Sequence, residues 1–357
     1  MRLPPLEASD YDYDLPEDRI RLVPPERREA SRLAVVPKYG ASEGAGSFGG
    51  RIDDLPSLLS PGDLLVANDS RVVPARTRAV TSRGRSLEIL FLGPFDGEKA
   101  GGRVRFLGRG LKGESRLGLF GGGGELREIV YDETLEFFSG EYRGERPLVL
   151  ALEAGGEMPL PPYIARRRKV GESDRDRYQT VYSRVPGSVA APTAGLHLGQ
   201  EVLARIGERG IGIAKVTLHV GLGTFRALSE GPVDRHMMHE EWYSVPAETV
   251  RAIARTRAQG GRVVAVGTTS LRALESAFAR GAGPEEEISG WTGLFVRPGF
   301  RFLAVDGLLT NFHTPRSTLL ILVDAFLGGD GRWREIYSRA LEEGFFFLSY
   351  GDAMLVL

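Results

Sequence analysis

Five histidines supply all the imidazole in this chain, and all five fall between residues 197 and 313 in polar or glycine-rich phrases. They stand in APTAGLH (His197), TLHVGLGTF (His219), RHMMHEE (His236 and His239) and TNFHTP (His313). Imidazole titrates near neutral pH and serves as acid, base or metal ligand. Each phrase reads as the end of a strand or the mouth of a helix, where a rigid scaffold holds catalytic groups. Proton transfer is therefore the first chemistry to consider, with core packing and capping as the ordinary competing uses.

A metal site is the second. His236 and His239 at i, i+3 with Glu240 could share a helical face, but the spacing matches neither H-E-x-x-H nor H-x-x-E-H. The chain has no cysteine, which excludes a thiolate zinc site, a cysteine nucleophile and a disulfide framework together. No metal is expected.

Anion binding is the third. In GLGTF, residues 221–225, Gly221 and Gly223 lack the third glycine and the following helix of a dinucleotide fingerprint, and no P-loop pattern occurs. VVAVGTTSLRALE is more informative. A buried strand there delivers Thr268, Thr269 and Ser270 to a helix N-terminus, whose unpaired N–H groups and dipole suit a small carboxylate. Arg272 could add a bidentate contact; ordinary helix capping is the plainer use of the same residues.

Basic residues are patterned as well. Arg76 and Arg78 share one face of a strand, and so do Arg103 and Arg105. Arg83, Arg85, Arg109, Lys112 and Arg116 thicken the same region, and Arg166, Arg167, Arg168 and Lys169 follow in ARRRKV. Net charge is −1, so any binding of RNA must use such local patches rather than the whole surface. A solvated face is the commoner use of a basic run.

These residues need elements to hold them. KVTLHV, 215–220, alternates Val216, Leu218 and Val220 against Lys215, Thr217 and His219, the signature of a strand with one apolar face. The first seventy-five residues mix short strands and turns. From 76 to about 146 glycine becomes dense and short alternating runs replace anything helical, which predicts a small barrel or sandwich. Beyond 150 the chain alternates: helix in GQEVLARIGERG, strand in IGIAKVTLHV, helix in PAETVRAIARTRAQGG, strand in RVVAVGTTS, helix in LRALESAFARG. A strand pair around LFVRPGFRFLAVDG, helices at STLLILVDAFLG and GRWREIYSRALEEG, and a last strand near FFFLSYGDAMLVL complete it. The expected fold is α/β: a large mixed α/β domain, 1–75 and 148–357, with a small all-β barrel domain, 76–147, inserted. The N-terminus lacks the apolar core of a secretory signal, and TLLILVDAFL is too short to span a bilayer, so a soluble protein is expected.

Taken in order, YDYDLPEDRI, ERREASRL, PGDLLVANDSRVVPAR, MPLPPYI, YQTVYSRVPGSVAAPTAGLH, VTLHVGLGTF, HMMHEE, AVGTTSLRALES, VDGLLTNFHTPRSTLLILVDAF and FFFLSYGDAM resemble the S-adenosylmethionine:tRNA ribosyltransferase-isomerases of queuosine biosynthesis. The chain departs from that pattern at Leu198, Ala227-Leu228 and Phe346. The resemblance implies an enzyme that joins the ribosyl group of S-adenosylmethionine to 7-aminomethyl-7-deazaguanine in the wobble position of tRNAs with GUN anticodons. It isomerises the sugar to an epoxycyclopentanediol, giving epoxyqueuosine and releasing adenine and methionine. It also implies a cytoplasmic protein without a metal; a monomer is the expected state. S-adenosylmethionine carries no phosphate, which fits the failed phosphate fingerprints. Its ligands are expected among Thr193, Gly195, Gly221, Gly223, Thr224, Phe225, Thr268, Thr269, Ser270 and Arg272, with an aromatic face from Phe225 or Phe312 for the sulfonium. His197 and His219 are expected to face the ribose, with His313 and Asp352 behind them and His236 and His239 at the rim. Arg76, Arg78, Arg103, Arg105, Arg109, Lys112 and Arg166–Lys169 are expected to grip the RNA backbone. A metal-dependent hydrolase built on His236, His239 and His313, and a non-catalytic RNA-binding module, are the rival readings.

Overall fold

The computed structural model describes residues 6–39, 46–93, 95, 101–119, 124–221, 228, 230–281, 283 and 286–357. Its strands run in chain order as β1 (Arg32–Val36), β2 (Ser47–Arg51), β3 (Leu64–Asn68), β4 (Ser70–Val72), β5 (Arg76–Thr81), β6 (Ser86–Leu92), β7 (Gly101–Gly108), β8 (Arg116–Leu119), β9 (Glu125–Asp132) and β10 (Phe137–Arg143). They continue as β11 (Val185–Ser188), β12 (Gly212–Leu218), β13 (Glu241–Val245), β14 (Val263–Val266), β15 (Ile288–Thr292), β16 (Gly307–Asn311) and β17 (Ala353–Val356).

Nine of these form one mixed sheet in the order β15-β13-β12-β3-β14-β16-β17-β1-β2. The middle of it, β12, β3, β14 and β16, is parallel throughout, so these four strands end on one rim. Their sequences are short apolar runs because both faces are covered. On one face Val66, Val216, Leu218 and Ala265 pack with the helices Ala247–Ala258, Gly267–Ala279, Thr318–Phe326 and Trp333–Glu342. On the other, Leu65, Ala67, Val264 and Val266 pack with Val202 and Ile206 of the helix Gln200–Glu208. The alternation read in residues 215–220 holds: Val216, Leu218 and Val220 lie in the first core, while Lys215, Thr217 and His219 point away from it.

Strands β5 to β10 form a closed barrel of six antiparallel strands in the order β10-β7-β6-β5-β8-β9, filled by Ile89, Phe91, Phe106, Leu117, Leu126 and Phe138. The fold is thus mixed α/β with an all-antiparallel barrel, as the residue pattern indicates.

Two elements differ from their sequence reading. The expected strand pair over 294–307 does not form: β15 ends at Thr292 and β16 begins only at Gly307. The buried carboxylate of Glu275 accepts the backbone N–H groups of Leu303, Ala304 and Val305 at 2.7, 3.0 and 3.1 Å, and so takes donors a ladder would need. The strand RVVAVGTTS also stops early. Gly267 has φ +88, a conformation in which glycine escapes the Cβ penalty, and it turns the chain from β14 straight into the helix Gly267–Ala279.

Candidate active site

The rim where the four parallel strands end collects most of the chemistry-bearing residues. His219 follows β12, Asn68 and Asp69 close β3, Gly267–Thr269 follow β14, and Asn311–His313 close β16. Ligands in open α/β sheets bind at such carboxyl ends. Asn68 extends the sheet there with its side chain: its Nδ2 donates to the Leu218 carbonyl at 2.9 Å, and its Oδ1 accepts from the Leu218 N–H at 3.0 Å.

His219 is 7% exposed, lies against the indole of Trp242 at 5.1 Å between ring centroids, and abuts the Cα of Gly187. A Cβ at Gly187 would lie 2.6 Å from both ring nitrogens. Burial pushes the imidazole down to about 4, so it is neutral at physiological pH. Its Nδ1 is buried and has no hydrogen-bond partner among the described residues. Buried polar atoms are nearly always paired, so an orphaned ring nitrogen at strand ends marks a place for a ligand atom.

Two further orphans belong to the helix Gly267–Ala279. Among the described residues Thr269 Oγ1 and Arg272 Nη2 are buried without partners, and no side chain caps the helix start. Ser270 is spent locally, donating from Oγ to the Val266 carbonyl at 2.7 Å. Arg272 is largely committed too: Nε donates to the Leu294 carbonyl at 3.0 Å and Nη1 pairs with Glu241, both side chains being 4% exposed. Glu241 also accepts the Gly221 N–H at 2.8 Å, and thereby fixes the chain beside His219. The free fork expected of Arg272 is therefore reduced to the Nη2 end of its guanidinium. Lys215, on the polar face of β12, rests its amine 3.7 Å from the centre of the Tyr182 ring and is pushed down to about 8 by burial.

His197 belongs to a different cluster. Its Nε2 accepts from Asn311 Nδ2 at 2.9 Å, which leaves Nδ1 to donate to Ser31 Oγ at 3.0 Å. Burial, then the nearby Arg21 and Arg28, pushes it down to about 4. Thr193 donates to the other end of the same amide, Asn311 Oδ1, at 3.0 Å, and Gly195 packs where a Cβ would strike the Tyr182 hydroxyl. His313 bonds through Nε2 to Thr310 Oγ1 at 3.0 Å and is pushed down to about 3 by burial. Each oxygen of Asp352 accepts a backbone N–H, from Arg32 at 2.9 Å and Phe346 at 2.8 Å, while burial raises its carboxyl.

The strand ends thus bring His197 and His313 together through β16 and set His219 three strands away, roughly 14 Å at ordinary strand spacing. Both nitrogens of His197 are engaged by the fold, whereas His219 has one ring nitrogen without a partner among the described residues. Phe312 is also unavailable to a sulfonium, being enclosed by Tyr337, Phe345 and Phe347. Gly223, Thr224 and Phe225 lie outside the described residues. His236 rests edge-on against Phe295, and among the described residues no group of three or more His, Asp or Glu side chains is arranged to hold a metal.

The basic residues divide. Arg78, Arg103, Arg105, Arg109 and Lys112 are exposed on the barrel exterior, and Arg166, Arg167 and Lys169 are exposed beyond it. Arg167 pairs with Glu17 at 2.8 Å, and Arg76 is half-buried beside Glu88 at 3.4 Å. Arg168 is structural: it grips the buried Asp174 bidentately, both bonds 2.7 Å, and donates to the Leu22 carbonyl at 2.8 Å.

Glu241, Asn311, Trp242 and Gly187 were not singled out in the sequence. Glu241 carried a signal that was misread: of the two glutamates in HMMHEE, Glu240 is exposed, whereas Glu241 opens β13 and faces inward.

An open, partly parallel sheet with orphaned imidazole, hydroxyl and guanidinium groups at its strand ends, joined to a barrel with exposed arginines, defines an α/β enzyme. The sequence matches the family described as queuosine biosynthesis protein over residues 8–356. It is similar to the S-adenosylmethionine:tRNA ribosyltransferase-isomerases of Azoarcus sp. (strain BH72), 48% identical over 98% of this chain and 97% of that one, and of Anaeromyxobacter sp. (strain Fw109-5), 47% identical over 98% and 99%. The crystal structure of the S-adenosylmethionine tRNA ribosyltransferase of Thermotoga maritima matches 98% of this chain and 100% of its own with a TM-score of 0.55 at 34% identity. The chain belongs to the queuosine biosynthesis protein family.

Proposed function

We propose that this enzyme transfers the ribosyl group of S-adenosylmethionine to 7-aminomethyl-7-deazaguanine in the wobble position of tRNA and isomerises it, giving epoxyqueuosine with loss of adenine and methionine. The observation that carries this reading is the family match from residue 8 to residue 356 at near one-half identity to ribosyltransferase-isomerases. The local chemistry agrees with it. Thr269, the uncapped helix start and the Nη2 group of Arg272, which has no partner among the described residues, suit the methionine carboxylate. A sulfonium acidifies the adjoining ribose C–H, and His219, neutral and with Nδ1 unpaired among the described residues, is the group we assign to proton transfer beside it. We assign His197 a positioning role: with Asn311 it holds the turn Thr193–His197 over the strand ends. His313 and Asp352 support the same region from behind.

In this reading residues 76–147 form an inserted domain whose exposed arginines hold the anticodon arm of tRNAs with GUN anticodons, and the protein works as a cytoplasmic monomer. Among the described residues no helix is long and apolar enough to cross a membrane. The test is direct: purified protein is given S-adenosylmethionine with tRNA bearing the aminomethyl-deazaguanine, and free adenine is measured. Release of adenine that depends on the modified tRNA is expected. Its absence, with both substrates shown to bind, overturns the proposal.

A further inference from the structure

The register of the sheet edge places three rings in one row. His219 follows β12 and donates its backbone N–H to the Trp242 carbonyl of β13 at 2.9 Å, and Trp242 pairs directly with Trp291 of β15. Directly opposed residues of an antiparallel ladder share a face, so His219, Trp242 and Trp291 line one side of the sheet. The row does not stop at the edge strand. The guanidinium of Arg105, on the barrel, lies 5.7 Å from the centre of the Trp291 ring and 5.2 Å from that of Phe137. Trp291 and Arg105 both line a cleft of about 370 Å³ between barrel and sheet, with Arg103, Phe95, Tyr142 and Gly93. Gly93 touches Gly187, where a Cβ would strike the Gly187 carbonyl oxygen, and Gly187 touches the His219 ring. The cleft therefore opens two residues away from the proposed proton-transfer group.

An exposed indole is an unusual surface residue, and Trp291 is 36% exposed beside two exposed arginines on β7. Aromatic faces flanked by guanidinium groups are what proteins use to hold unpaired bases, the ring stacking on the base and the cation meeting its phosphate. We propose that this cleft holds one unpaired nucleotide of the RNA substrate, its base stacked on Trp291 and its phosphate on Arg103 and Arg105. The row Trp291–Trp242–His219 then leads the strand toward the reacting ribose. In the RNA-free protein Arg105 occupies the indole face that the base takes over. This inference rests on the tRNA-modifying function proposed above, and it adds where the single-stranded part of that RNA enters.

The experiment uses the full chain and a labelled anticodon stem-loop, with a fully paired RNA of equal length as the second probe. Trp291→Ala should weaken binding of the stem-loop by about 10-fold or more and leave binding of the duplex unchanged. Trp291→Phe, which keeps a ring, should recover most of the affinity. S-adenosylmethionine binding and the melting temperature should match the wild type in both variants. Wild-type affinity of Trp291→Ala for the stem-loop overturns the proposal, as does an equal loss for stem-loop and duplex, which would show a backbone grip only. Adenine release by the wild-type protein is measured alongside. Absence of release condemns the catalytic reading, whereas release with unaltered RNA binding by Trp291→Ala condemns the cleft alone.

Discussion

Gly187 and His219 are in van der Waals contact, the glycine Cα against the imidazole, and Gly187 takes φ +153, a backbone conformation that L side chains rarely adopt. Trp242 closes the other side of the ring. Gly187→Ala would place a methyl group 2.6 Å from both ring nitrogens, so the imidazole must move. Turnover of Gly187→Ala should fall about 100-fold or more, as for His219→Ala, because a misplaced proton-transfer group loses most of its effect. S-adenosylmethionine affinity and RNA affinity, measured separately, should change much less. Normal turnover by Gly187→Ala with a shifted imidazole would remove His219 from the mechanism.

Glu241 and Arg272 form an ion pair that is almost wholly buried. Breaking such a pair from one side leaves an uncompensated charge and costs about 3–5 kcal/mol. Glu241→Gln should therefore lower the urea midpoint strongly, and more than replacement of the exposed neighbour Glu240. Arg272→Met combined with Glu241→Gln should recover part of the loss, since no lone charge then remains. Equal loss in the single and double variants would show that the pair is not coupled.

Much of this was readable in the residues, for definite reasons. The alternation of Val216, Leu218 and Val220 with Lys215, Thr217 and His219 is a local property, and it places His219 on the polar face without any knowledge of the sheet. The glycine-dense run from residue 76 marks the barrel because short strands need tight turns. Other features depend on long-range pairing. Glu275 uses its carboxylate on Leu303–Val305, 28 to 30 residues away, and so erases a strand pair that local pattern favours. Arg168 sits in a basic run and looks like its neighbours, but Asp174 claims it. The ring of His197 is held by Asn311 and Ser31, 114 and 166 residues distant in sequence, which no local pattern shows.

Acid should unfold the protein through its buried histidines. His197, His219 and His313 lie at about 4, 4 and 3, below the model-peptide value of 6.5, so the native state holds them neutral while the unfolded chain takes up protons. Their contribution is complete above pH 6.5 and is lost as pH falls toward 4, each by up to about 1.4 kcal/mol per pH unit. The raised carboxyls of Asp352, Asp324 and Glu275 act in the opposite direction and offset part of it. The melting temperature should fall steadily from pH 7 to pH 5, and less steeply in His197→Asn. A flat profile over that range would mean that the three imidazoles are hydrated.

RNA binding should divide the basic residues as the structure divides them. Phosphate contacts release counterions, so the logarithm of the affinity falls linearly with that of salt, with a slope that counts the contacts. Replacing Arg103 and Arg109, exposed on the barrel, should weaken tRNA binding and flatten the salt slope by roughly one to two units. Arg168→Ala should do neither. It removes the partner of Asp174, whose side chain is 2% exposed, and should instead lower stability by a few kcal/mol. Titrations of labelled tRNA at several salt concentrations, run beside urea melts of the same variants, separate the two outcomes. A reduced slope in Arg168→Ala with unchanged stability would return that residue to the RNA-binding surface and break the ion-pair assignment.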